Sequence, residues 1–209
     1  MQLEEKWTAE TWPASPERQT LEAKNKFTGF WIFLGGETVL FATLFATYLA
    51  LKDKVPSTEH ALAKDMFELP LVFATTMILL TSSLTSVYAM YHMKNFQFKK
   101  MMLWLGVTVL LGASFLTLEI YEFNHYVHEF HHTFTSSAFG SAFYTLTGFH
   151  GAHVAFGLCW ILTLMIRNAK RGLNLYNAPK FYTASLYWHF IDVVWVFIFT
   201  VVYLMGMVG

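Results

Sequence analysis

Five long apolar runs set the limits on what this chain can become. They cover residues 27–51, 67–91, 101–123, 137–166 and 181–205, and each holds only a few polar side chains. At 1.5 Å of rise per residue, each run is long enough to cross about 30 Å of hydrocarbon as a helix. Only helices and closed barrels satisfy every backbone hydrogen bond in lipid, and runs of this length exceed a barrel strand. The chain therefore reads as all-α: a polytopic bundle of five transmembrane helices (27–209) after a polar N-terminal tail (1–26). Composition agrees. Apolar residues make up 55% and charged residues 13%, the latter about half the share of a soluble domain. The tail has five glutamates and no basic start or apolar core, so no cleaved signal peptide is expected.

Lysine and arginine placement gives an orientation. Lys6, Arg18, Lys24 and Lys26 precede the first run, Lys94, Lys99 and Lys100 lie between the second and third, and Arg167, Lys170, Arg171 and Lys180 between the fourth and fifth. Lys52, Lys54 and Lys64 fall on the opposite side, a division of 11 against 3. The positive-inside rule then predicts an N-terminus inside and a C-terminus outside, with 1–26 cytoplasmic. The whole reads as a multi-pass protein of a cell membrane. Lys+Arg and Asp+Glu balance at 14 each, which gives no hint of a nucleic-acid partner. A single cysteine, Cys159, excludes a disulfide framework, a Cys-ligated cluster and covalent haem attachment within this sequence.

Charges at lipid depth are costly, so those present are candidates for function. Glu37 lies about ten residues, roughly 15 Å, into the first run, beside the paired glycines Gly35 and Gly36. Small residues there let a neighbouring helix or lipid chain approach closely. The structural reading of Glu37 is a hydrogen bond across a helix interface; the functional one is proton handling or lipid contact. Glu119 and Glu122 share a helix face at a three-residue step, which His125 and His128 continue. Glu122-x-x-His125, the His128–His132 stretch (with His131) and His150-x-x-His153 invite a metal reading of the di-iron kind. No second Glu-x-x-His and no HxxxH box completes that ligand set, so no metal is expected. His189 and Asp192, also three apart, need each other or partners across an interface. A proton-coupled transporter using Glu37 or Asp192 is a further alternative, opposed by the absence of inverted repeats.

Four segments, in order, carry a resemblance. Phe30-Trp31-Ile32-Phe33-Leu34-Gly35-Gly36-Glu37, Glu119-Ile120-Tyr121-Glu122, the stretch from Gly140 to Val154 and Tyr187-Trp188-His189-Phe190-Ile191-Asp192-Val193-Val194-Trp195 resemble the signatures of subunit III of haem–copper oxidases. The whole chain looks most like the branch found in caa3-type cytochrome c oxidases of Gram-positive bacteria, with quinol oxidase subunit III as the near alternative. The resemblance implies an accessory subunit of a proton-pumping terminal oxidase. Such a subunit carries no cofactor of its own; haem and copper belong to partner subunits. It packs with catalytic subunit I and with subunit II, supports proton uptake, protects the catalytic site and holds phospholipid. Glu37 matches the family's intramembrane carboxylate, and Arg167 and Lys170 match residues that hold a lipid headgroup. Longer members have two further spans at their N-terminal side, which contribute to the lipid cleft.

Overall fold

A computed structural model describes residues 7–52, 69–129 and 138–205. Five helices follow one another: α1 (Leu21–Lys52), α2 (Leu69–Lys94), α3 (Phe98–Glu129), α4 (Ala138–Asn168) and α5 (Ala178–Ile198). A π-helical turn, Phe199–Leu204, extends α5, and a 3-10 turn, Pro16–Arg18, precedes α1. No strand occurs among the described residues. All five helices are long and apolar enough to cross a membrane. They overrun several of the expected spans: α3 continues to Glu129, because polar residues outside the hydrocarbon keep helical hydrogen bonding. Likewise α1 begins before residue 27, where Thr20 Oγ1 accepts the Ala23 N–H at 3.1 Å and satisfies one of the orphan donors of its first turn.

Helices α2 and α3 form a tight hairpin, α3 packs on α4, α4 on α5, and α5 closes the ring against α2. Helix α1 lies outside the ring, against α4 and α5. Burial follows: half of the apolar window of α5 is buried (50%), against 17% for α1. The bundle closes around tryptophans of α5. Trp188 fits only because α3 and α4 present glycines: a Cβ at Gly112 would stand 2.6 Å from its ring, and one at Gly157 3.2 Å. Its indole N–H donates to Ser82 Oγ of α2 at 3.0 Å. Two turns further on, Trp195 donates to Thr76 Oγ1 at 3.0 Å.

The α2–α3 turn ends α2 with a Schellman pattern, Gln97 N–H to His92 O at 2.9 Å and Phe96 N–H to Met93 O at 3.1 Å. Phe96 occupies the left-handed position (φ 55°) where glycine is usual. The N-terminal segment covers this turn. Trp12 is buried, packs 4.9 Å from the Phe96 ring and donates to Met93 O at 3.2 Å. Glu17 is buried beside Lys94, at 3.9 Å. Residues 7–20 thus fold onto the bundle end rather than trailing from it.

Candidate functional site

Glu37 is carried to the α1–α4 contact by the sixteen residues of helix that precede it in α1. There its Oε2 meets His153 Nε2 at 3.1 Å. The other ring nitrogen of His153, Nδ1, lies 2.6 Å from the Phe149 carbonyl one turn earlier in α4. Phe41 of α1 packs its ring 5.1 Å from the imidazole. From α5, the Tyr187 hydroxyl donates to the His153 carbonyl at 3.4 Å. Both side chains of the pair are largely buried, at 16% and 17% exposure. Beside Glu37, positions 35 and 36 are open: a Cβ on either glycine would meet nothing within 4 Å. No helix of this chain, among the described residues, occupies the glycine face.

The remaining intramembrane candidates gather in the ring. Glu119, on α3, rests on Gly151 of α4, where a Cβ would come within 2.9 Å of its Oε2. Glu122, one turn on, is buried as well. His150 is fully buried between the Trp195 face, at 5.0 Å, and the Phe115 edge, at 6.0 Å. His150 and His153 therefore serve different interfaces, although they lie three apart. His189 reaches α2 through Ser83 Oγ at 2.6 Å and is not hydrogen-bonded to Asp192. The oxygens of Glu119 and Asp192 and the nitrogens of His150 have no hydrogen-bond partner among the described residues. Buried groups of this kind are normally satisfied by ordered water or neutralised.

A second set of polar contacts was not anticipated from the sequence. Helix α2 lines its ring face with hydroxyls: Thr76 and Ser82 accept from the two tryptophans, Ser83 meets His189, Ser86 meets Ser185 at 2.7 Å, and Thr85 meets Thr108 of α3 at 2.8 Å. The run Thr81-Ser82-Ser83-Leu84-Thr85-Ser86 was the available signal, since hydroxyls are favoured at membrane helix contacts.

Arg167 and Lys170 are exposed at the end of α4. The loop that follows is held by asparagines: Asn174 Oδ1 accepts from Asn177 N–H at 2.8 Å, and Asn177 Nδ2 donates to the Gly172 carbonyl at 2.7 Å. Lys180 then stands 3.6 Å over the ring of Tyr176. His128, His131 and His132 lie outside the residues whose side chains are described. Among the described residues, no group of three or more His, Cys, Asp or Glu side chains is arranged to hold a metal ion.

Fold and site together define a class: a multi-pass, all-helical membrane protein whose intramembrane carboxyls and imidazoles lie at helix interfaces. Comparison with known proteins narrows it. The family model described as cytochrome c oxidase subunit III matches residues 18–207. Cytochrome c oxidase subunit 3 of Bacillus sp. (strain PS3) is 78% identical over the full length of both chains. The same-named protein of Bacillus subtilis (strain 168) is 76% identical, also over both full lengths. Quinol oxidase subunit 3 of Bacillus subtilis is more distant, 46% identical over 94% of this chain and 95% of the relative. The chain belongs to the cytochrome c oxidase subunit III family, and so to an oxidoreductase complex with other oxidase subunits.

Proposed function

We propose that this chain is the non-redox accessory subunit of a proton-pumping haem–copper oxidase in a bacterial cytoplasmic membrane. It lies beside catalytic subunit I, in a complex with subunit II, with its N-terminus inside and its C-terminus outside. Haem and copper sit in those partners. The identities of 78% and 76% to cytochrome c oxidase subunits, against 46% to a quinol oxidase subunit, support the cytochrome c branch.

The observation that carries the role is Glu37, engaged by His153 at 3.1 Å beside an open glycine face. A carboxyl already bonded within its own subunit suits an interface that stabilises the catalytic partner's proton-uptake side. The open glycines suit a partner helix or a lipid chain, and exposed Arg167 and Lys170 suit a phospholipid headgroup.

The test is Glu37→Gln in the assembled oxidase. An amide keeps the shape and can donate to His153 Nε2, so oxygen reduction and proton pumping in vesicles stay nearly intact. Glu37→Ala leaves His153 without its partner, a loss of about 1–3 kcal/mol at a buried site. It weakens retention of this subunit, or shortens working lifetime, more than it slows initial turnover. Loss of pumping by an assembled Gln variant would make Glu37 a proton carrier. Isolation under mild detergent tests the assignment more broadly: haem-bearing subunits co-purify with this chain.

A further inference from the structure

The contacts of His153 fix more than its position. A backbone carbonyl has lone pairs only, so the 2.6 Å contact to Phe149 requires that Nδ1 carry the hydrogen. That leaves Nε2 to face Glu37 Oε2, 3.1 Å away. A hydrogen bond at that separation needs one proton between the two atoms. It exists with a neutral imidazole accepting from a carboxylic acid, or with an imidazolium donating to a carboxylate. Both forms have the same proton count and no net charge, as a site at lipid depth requires. Removing that proton leaves two acceptors facing each other. Adding a second keeps a donor on Nε2 but places an uncompensated positive charge in apolar surroundings.

The surroundings leave this contact to decide the matter. Helix α1 has no other charged residue between Lys26 and Lys52. On α4, the nearest titratable group, His150, is buried at the opposite interface against Trp195 and Phe115. On α5, Tyr187 faces the pair and bonds to the His153 backbone, while His189 is turned to Ser83 of α2, with Asp192 one turn on. Helix α1 is also the least buried of the five, and the Glu37–His153 contact joins it to α4.

We infer that Glu37 and His153 form a single-proton latch between α1 and α4, with Phe149 O and His153 Nδ1 as the element that sets the tautomer. The latch is closed with one proton and opens when that proton leaves. His153 is a positioning residue here, acting through Glu37, and the inference rests on the reading of Glu37 as an interface group.

Two measurements on the assembled complex test it. In [15N]histidine NMR, with the His153 signal identified by its loss in His153→Gln, Nδ1 is protonated in the wild type and in Glu37→Gln. A neutral His153 protonated at Nε2 overturns the latch. The second measurement is retention of this subunit in detergent from about pH 7 to about pH 10, a range that reaches well above ordinary carboxyl and imidazole titration. Wild type loses the subunit as pH rises. Glu37→Gln, whose amide N–H donates to Nε2 without an acid proton, holds it. Parallel loss from both, or no loss from the wild type, overturns the proposal. Pumping by Glu37→Gln is read separately: its disappearance makes Glu37 a proton carrier and removes the reading on which the latch rests, whereas parallel loss of both proteins with pumping intact overturns the latch alone.

Discussion

Glycine shows the bundle at the scale of single residues, because identical residues do opposite work in it. Gly112 and Gly157 admit the Trp188 ring, whereas Gly35 and Gly36 border open space. A methyl at 112 has nowhere to go: the indole and Leu158 stand within 2.8 Å of it, and Trp188 is fully buried. Gly112→Ala therefore destabilises by about 1–3 kcal/mol, the usual cost of overpacking, read as a lower midpoint of thermal unfolding in detergent. Gly36→Ala leaves that midpoint unchanged or raises it, since alanine is the better helix former. In the assembled oxidase, Gly36→Ala lowers retention of the subunit when a partner helix uses the glycine face. Retention unaffected by Gly36→Ala and Gly36→Val alike would show that no partner packs there.

At the scale of elements, α2 and α5 are joined by hydroxyls. Membrane hydrogen bonds average only about 0.6 kcal/mol, so no single rung holds the pair. Ser86→Ala and Ser185→Ala, combined in a double-mutant cycle, give a coupling of about that size. Ser82→Ala costs more, about 1–3 kcal/mol, because it strands the buried Trp188 N–H. The α2–α3 turn holds a different balance. A left-handed conformation costs a side-chain-bearing residue about 1–2 kcal/mol, yet Phe96 remains there and its ring receives Trp12. Phe96→Gly is then close to neutral in the wild-type background, where relief of strain offsets lost packing. In a Trp12→Ala background it stabilises by about 1 kcal/mol. Thermal unfolding of the four chains decides this, and equal effects in both backgrounds would separate Phe96 from the N-terminal segment.

For the whole molecule, the five helices place the starts of α1, α3 and α5 and the ends of α2 and α4 at one end of the bundle. That end collects Arg18, Lys26, Lys94, Arg167 and Lys180. With 11 of 14 basic residues assigned to one side, a reporter fused after Gly209 behaves as extracytoplasmic. A reporter active in the cytoplasm reverses the orientation.

Hydrocarbon thickness made the architecture legible: runs of 23 residues or more can satisfy their backbones in lipid only as helices. The same runs hid the pairings. An apolar helix shows no one-sided stripe, because lipid and core are equally apolar, so the sequence did not indicate that α5 is central and α1 peripheral. The ordered motifs around Glu37, Glu119, His150 and Asp192 led to the family, which the comparisons bear out. They did not lead to the contacts. His150 and His153 stand three apart on one helix, yet the first faces Trp195 and the second Glu37, 116 positions away in the chain. Local spacing determines which residues can share a face of their own helix. Which helix then meets that face is decided by packing, here by Trp188 of α5, which fits only where α3 and α4 present glycine.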